Sequence, residues 1–398
     1  MNWKRIGSAL LAAALLLCAG MRVFAAEIPE KIPQTDTTAA VQQLALPCRA
    51  ALLMSSDTGD ILYEMNADEE LAMASITKVM TVLLAFEALE AGKIHLEDAV
   101  PVTKHAASMG GSQVWLEPGE RFTLHEMLKA ICVNSANDAA VAVAEFVGGS
   151  EPAFVEQMNT RAAELGMMHT CFKNACGLDE EGHHSTARDI AVMSRELMRH
   201  ETVFEYTKIW TDTLRSGETQ LTNTNKLLRS YDGITGLKTG TTGKAGVCIT
   251  ATATREGTGL IAVILGSASS KERFAAATAL LDYGYANFER ADVPAVQGLP
   301  AGLPVKGGSE KSVPISCQLP QSLLVKKGQS GALRCELVLQ EQLRAPVAAG
   351  AQVGEVSVYN GDTLVQTCPV VTQTGVEKMT FRLAVQLLLD ALFQIQDK

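Results

Sequence analysis

The 398-residue sequence predicts an α+β fold in which an antiparallel sheet is flanked by helices, followed by a small all-β domain and a terminal amphipathic helix. Three observations carry this expectation. Residues 247–254 alternate between apolar and hydroxyl side chains and residues 260–265 are continuously apolar, with the turn Glu256-Gly257-Thr258-Gly259 between them, which is the pattern of adjacent antiparallel strands. Residues 75–92 are apolar nearly all round, as a helix buried in a core must be. After Phe288 the helical patterns stop, and short apolar runs such as Leu323-Leu324-Val325 alternate with Pro- and Gly-rich turns.

The N-terminus has a basic start, Lys4-Arg5, then an apolar run from Ile6 to Cys18, then Val23-Phe24-Ala25 with small residues where a signal peptidase reads. Residues 1–25 are therefore expected to be a secretory leader. The apolar run is shorter than the about 20 residues of a membrane span. Leu17 before Cys18 is too large for a lipoprotein signal. Residues 26–46, rich in Pro, Thr and Gln, read as a tether. The main domain is expected over 47–288, the β domain over 289–377 and the last helix over 378–398.

Within the main domain, residues 50–55 and 61–63 read as a hairpin closed by Asp57-Thr58-Gly59-Asp60. Thr123 caps a helix through residue 131, with Glu126 completing a capping box. Asp138 opens another apolar helix. The glycine-punctuated stretch 174–186 is a loop leading into a helix over 187–198, and a helix over 271–288 closes the unit.

The formal charge of −10 becomes −13 once the three cations Lys4, Arg5 and Arg22 leave with the leader, so the surface repels nucleic acid. Loss of Cys18 leaves eight cysteines. Export permits disulfides, and Cys171 and Cys176 share one loop, whereas Cys132 and Cys248 read equally well as core thiols. His183-His184 lacks a third ligand at metal spacing, so no metal site is expected and His184 is placed at a cleft rim.

Chemistry concentrates in three stretches. In Met73-Ala74-Ser75-Ile76-Thr77-Lys78, Ser75 and Lys78 share a helix face with Cβ atoms about 5–6 Å apart, so an amine stands ready to take the hydroxyl proton. The N-terminal end of the helix dipole adds positive potential at Ser75. Ser135-Ala136-Asn137 lies at a junction between two helices, where side chains point into a cleft. In Lys238-Thr239-Gly240, strand geometry puts Lys238 and Gly240 on one face and Thr239 on the other, and the glycine admits a close backbone approach. Backbone N–H groups of Ser75 and Thr241 are expected to stabilise the oxyanion of an attacked acyl carbonyl.

These three motifs, with Ser135-Ala136-Asn137-Asp138-Ala139-Ala140, Gly177-Leu178-Asp179 and Gly182-His183-His184-Ser185-Thr186, resemble the serine D-alanyl-D-alanine carboxypeptidases among the low-molecular-mass penicillin-binding proteins. The resemblance covers residues 49–288 and extends to the layout of the C-terminal β domain and helix. It implies the transpeptidase fold shared with β-lactamases. It implies Ser75 as nucleophile, Lys78 as base, Ser135 as proton relay, Asn137 orienting substrate, and Lys238, Thr239, Gly240 and Thr241 binding it. Lys78 meets that role only with its pKa lowered by burial or by Lys238. The implied substrate is the peptidoglycan stem pentapeptide, with β-lactams as acylating inhibitors and no cofactor. A β-lactamase shares the motifs, but the Glu-x-x-Leu-Asn deacylation stretch is missing. A non-catalytic peptidoglycan-binding or penicillin-sensing protein would not need every reacting residue.

The implied place of work is the cell envelope, at the outer face of the cytoplasmic membrane. In residues 379–398 the polar residues Arg382, Gln386, Asp390 and Gln394 recur every fourth position within apolar sequence, which predicts a helix lying along the membrane surface. The β domain carries no histidine and reads as a spacer or docking module, with carbohydrate binding as the other option.

Overall fold

The computed structural model describes residues 44–385. The expected leader and most of the expected tether, and residues 386–398 of the segment expected to be a terminal helix, lie outside the described residues.

The central sheet is antiparallel throughout and is built from β1 (Ala50–Ser55), β2 (Ile61–Met65), β3 (Ile234–Thr242), β4 (Gly246–Arg255) and β5 (Thr258–Ser267), in the order β2-β1-β5-β4-β3. Both faces are covered, which explains why β1 and β5 read as continuous apolar runs. Ala50, Leu52 and Met54 of β1 join one core with Ile261, Val263 and Leu265 of β5, while Ala51, Leu53, Leu260, Ala262 and Ile264 join another. The second core is closed by helix α6 (Ser270–Asn287), which presents Ala276, Ala277, Leu280 and Leu281 to the sheet. The first core is closed by a helical layer.

That layer is centred on α1 (Lys78–Glu90), which buries ten of its 13 residues. Around it stand α2 (Leu124–Val133), α3 (Asn137–Gly148), α4 (Glu151–Glu164) and α5 (Ala187–Met198). The expected capping box is present: the Thr123 hydroxyl accepts from Glu126 N at 3.2 Å and Thr123 N donates to Glu126 Oε2 at 2.8 Å. Thr186 caps α5 by accepting from Asp189 N at 3.1 Å. The run Asn137–Ala144 of α3 is wholly buried, its four alanines permitting close approach of the neighbouring helices.

One local departure matters for the site. A regular α-helix was expected to carry both Ser75 and Lys78, yet residues Ala74–Thr77 form a 3-10 turn and the α-helix begins at Lys78. In 3-10 geometry side chains three apart eclipse one another, so the tighter turn brings the pair closer than an α-helix would.

Past α6 the chain forms a ribbon of β6 (Phe288–Asp292) with β9 (Ser322–Lys326), then a six-stranded sheet. Its strands are β7 (Gly302–Lys306), β8 (Ser312–Cys317), β10 (Leu333–Leu339), β11 (Leu343–Arg344), β12 (Gln352–Asn360) and β13 (Thr363–Thr372), ordered β10-β12-β13-β8-β7-β11. Its own core is dominated by β-branched residues, among them Val305, Val313, Val356 and Val370. The ribbon is tied back to the main domain where Arg290 Nη1 donates to Gly257 O at 2.9 Å. A final helix starts at Phe381. No described helix is long and apolar enough to cross a membrane. The eight cysteines among the described residues are all free thiols, and Cys132, Cys176, Cys248 and Cys368 are buried.

Candidate active site

The three motifs meet in one cleft between the edge strand β3 and the helical layer. Lys78 Nζ donates to Ser75 Oγ at 2.9 Å, to Asn137 Oδ1 at 2.6 Å and to the Cys176 carbonyl at 2.6 Å. Its side chain is entirely buried. Burial lowers the amine from about 10.5 to about 8, against the opposing pull of Cys176 and Asp138. A measurable fraction of Lys78 is thus neutral near pH 7, as a base for Ser75 requires.

Ser135 and Lys238 form the other half of the cleft. Lys238 Nζ donates to Ser135 Oγ at 2.8 Å and to the Thr239 carbonyl at 3.1 Å. Burial, reinforced by repulsion from Lys78, holds Lys238 well below the usual lysine range. The pKa demand placed on Lys78 is met by burial, which is also the leading cause of the fall at Lys238. The Thr239 hydroxyl is 2.6 Å from that of Thr224, and the Thr241 hydroxyl donates to Gly240 O at 2.8 Å. Asn137, expected to orient substrate, has its amide engaged at both ends within the protein, Oδ1 accepting from Lys78 and Nδ2 donating to Gly110 O at 2.6 Å.

The backbone at Ser75 is clamped by two glycines. A Cβ on Gly177, whose φ is +86°, would fall 2.0 Å from Ala74 O and 2.9 Å from Ser75 N. A Cβ on Gly240 would fall 2.9 Å from Met73 O and 3.1 Å from Ser75 N. Only residues without side chains allow the loop after α4 and the edge strand to close on the turn from both sides. Ala74 and Ser135 themselves take left-handed backbone at φ 50° and 60°. Strained non-glycine backbone of this kind persists where the surroundings over-determine it, commonly at functional sites.

Two further groups were not foreseen. His183, not His184, enters the interior: its Nδ1 accepts from Lys173 N at 3.0 Å, which leaves Nε2 as the donor to Thr77 Oγ1 at 2.7 Å. Thr77 Oγ1 in turn donates to Ala74 O at 2.8 Å, so the histidine braces the turn that carries Ser75. Burial pushes His183 down to about 4. His184, expected at the cleft rim, is half-buried with its ring 3.6 Å from Glu70. The second is Arg273, buried beneath the cleft with Nη1 donating to Gly240 O at 3.3 Å and Cys248 O at 3.1 Å. Its Nε has no partner, and among the described residues no carboxylate pairs with it. The sequence held a signal for it: position 273 continues the inward stripe of Ala276, Ala277, Leu280 and Leu281, where a charge needs a reason.

Asp179 closes the far wall by accepting from Thr242 Oγ1 at 2.7 Å and Lys244 N at 3.2 Å. Among the described residues no carboxylate hydrogen-bonds Ser75 or Lys78. The cleft therefore combines a hydroxyl with a buried amine of lowered pKa and, opposite, a cationic group of Lys238 and Arg273 that lacks an anion. Such an arrangement suits acyl transfer from a substrate ending in a carboxylate.

Comparison with known proteins gives the same direction. The D-alanyl-D-alanine carboxypeptidase family matches residues 36–269, and the C-terminal domain of penicillin-binding protein 5 matches residues 299–378. The chain is 39% identical over 382 residues to the D-alanyl-D-alanine carboxypeptidase DacF of Bacillus subtilis, covering 95% of this chain and 96% of the relative. Its fold is similar to penicillin-binding protein 5 from Haemophilus influenzae, with TM-score 0.76 at 28% identity over 85% of this chain and 100% of that one. It is also similar to penicillin-binding protein D2 from Listeria monocytogenes in a cefotaxime-bound form, with TM-score 0.57 at 33% identity over 61% and 99% of the two chains.

Proposed function

The chain belongs to the D-alanyl-D-alanine carboxypeptidase family and is a serine-type carboxypeptidase of the penicillin-binding class, and on that premise we propose how its own residues carry the reaction on the peptidoglycan stem pentapeptide. The observation that carries the assignment is the wholly buried Lys78 amine, 2.9 Å from Ser75 Oγ and lowered to about 8.

Neutral Lys78 takes the Ser75 proton as Oγ bonds the carbonyl carbon between the two D-alanines. The carbonyl oxygen becomes an oxyanion facing the N–H groups of Ser75 and Thr241. The carbon–nitrogen bond then breaks, and the departing D-alanine amine receives the proton held on Lys78 by way of Ser135 Oγ, which returns Lys78 to its neutral form. Water hydrolyses the Ser75 ester and restores the hydroxyl. The terminal carboxylate lies against Lys238 and the Thr239 hydroxyl, with Arg273 supplying charge from beneath. Asn137 acts by fixing Lys78 as much as by touching substrate. Because β3 is an edge strand, an extended peptide can pair with it and reach Ser75 in register. β-Lactams acylate Ser75 by the same route, and the lack, among the described residues, of a carboxylate bonded to Ser75 or Lys78 favours this reading over a β-lactamase.

On this reading residues 1–25 direct export, 26–46 tether, 47–288 carry the reaction, 289–377 hold the catalytic domain off the membrane, and the segment 378–398 anchors the chain to the outer surface of that membrane. The test of the catalytic assignment is Ser75→Ala: D-alanine release from a stem pentapeptide and labelling by a fluorescent penicillin are both lost, with thermal unfolding unchanged. Covalent labelling of that variant would refute Ser75 as nucleophile.

A further inference from the structure

Trp115 is 75% exposed although its neighbours Val114 and Leu116 are 1% and 4% exposed. Its backbone is left-handed, φ 56°, a conformation that bulky L residues adopt only under constraint. The constraint is visible on both sides of the residue. Asp138 Oδ2 accepts from Val114 N and from Leu116 N, each at 3.1 Å. Arg215 donates to Val114 O and to Trp115 O, each at 2.9 Å, and is itself held by Glu120 at 2.8 Å. The indole is thus presented to solvent by a rigid loop.

That loop is stitched to the cleft. Asn137 N donates to Ser112 O at 2.7 Å and Asn137 Nδ2 to Gly110 O at 2.6 Å, so Asn137 and Asp138, neighbours at the start of α3, set the loop's position residue by residue. Four of the seven non-glycine residues at positive φ among the described residues, Ala74, Trp115, Ser135 and Arg215, belong to the cleft or this wall. The carboxypeptidase chemistry uses no aromatic group, so the indole is left without a role in it.

We infer that Trp115 is a binding platform on which a pyranose ring of the glycan strand stacks while its stem peptide occupies the cleft, an inference that rests on the carboxypeptidase reading. A flat exposed indole offers an apolar face and an N–H, matching a sugar that presents a C–H face and a rim of hydroxyls. Glu117, exposed two residues on, disfavours anionic lipid headgroups and the substrate's own carboxylate as the occupant.

The test compares full-length wild type with Trp115→Ala and Trp115→Phe on a disaccharide-pentapeptide and on the bare pentapeptide. For Trp115→Ala, KM for the disaccharide substrate rises about 3- to 10-fold with kcat unchanged, KM for the bare peptide moves less than about 2-fold, and Trp115→Phe recovers most of the loss. Equal losses on both substrates, or none on either, would overturn the platform. So would an effect confined to pelleting with anionic phospholipid vesicles, which would assign the indole to the membrane. A soluble glycan tetrasaccharide should quench wild-type indole fluorescence and leave Trp115→Ala unchanged. This readout needs no turnover, so an enzyme inactive on the bare pentapeptide would refute the carboxypeptidase reading while the quench still decides the platform; absence of the quench overturns it.

Discussion

Lys238 Nζ donates to Ser135 Oγ at 2.8 Å across 103 residues of sequence, making two motifs from different layers of the fold into one hydrogen-bonded unit. The partner unit is Lys78 with Ser75 and Asn137. Two buried amines thus face one cleft, each with a hydroxyl, and burial makes the charge of each costlier than it is in water.

The pH profile follows from the Lys78 shift. Its base form is the deprotonated amine, so penicillin acylation of the enzyme should rise with pH, reach half its limit near pH 8 and level off above it. Lys78→Arg, which keeps charge but cannot deprotonate, should lower the acylation rate by about 10²- to 10⁴-fold. A stopped-flow acylation profile flat from pH 6 to 10 would contradict the assignment.

Lys238→Ala should weaken substrates with a free terminal carboxylate selectively. The expected loss in kcat/KM is about 10- to 100-fold, with a smaller loss on a C-terminally amidated analogue. Equal activity of the wild type on free and amidated ends would argue against a carboxylate subsite here.

Gly177→Ala would place a Cβ 2.0 Å from Ala74 O. The turn must shift or the loop must open, so stability should fall by about 1–3 kcal/mol and acylation should be lost disproportionately. Thermal unfolding alongside fluorescent-penicillin labelling separates the two effects. A variant that labels at the wild-type rate would show that the contact is dispensable.

His183 makes a prediction about acid stability. Its folded pKa is about 4, below its ordinary 6.5, so between those values the unfolded chain binds the proton that the folded one refuses. The stability it contributes is complete above about pH 6.5 and is lost as pH falls through about 4, a change on the order of 3 kcal/mol. His183→Gln should flatten that part of the pH–stability curve in denaturant titrations and leave the slope above pH 7 unchanged.

Truncation before Met379 should release an active enzyme into the soluble fraction. The lone Arg382 offers little attraction to anionic lipid, so attachment of the full chain should depend on apolar burial and resist high salt. Wash-off by salt, or membrane retention of the truncated enzyme, would refute this anchor.

Much of this was legible in the residues because the signals were local. The capping box at Thr123, the helix Ala187–Met198 and the strand alternation from Val247 to Thr254 each depend on neighbours within one element. The three motifs were legible for the same reason, being short and chemically unusual. What escaped depends on contacts between distant segments. Nothing near His183 in sequence says that it, and not His184, meets Thr77, since adjacent side chains diverge and the choice is made by packing 106 residues away. Likewise Gly177 reads as an ordinary loop glycine until Ala74 is seen against it.

The two glycines at the Ser75 turn also constrain how this enzyme can escape its inhibitors. The floor of the cleft there is peptide backbone with no volume left for a new side chain, so substitutions that exclude a β-lactam while sparing the pentapeptide have little room at Ser75, Gly177 or Gly240. Drug resistance by point mutation is thereby steered outward, to exposed positions of the 110–116 loop and to Glu180 and Glu181, away from His183 and its brace on the nucleophile's turn.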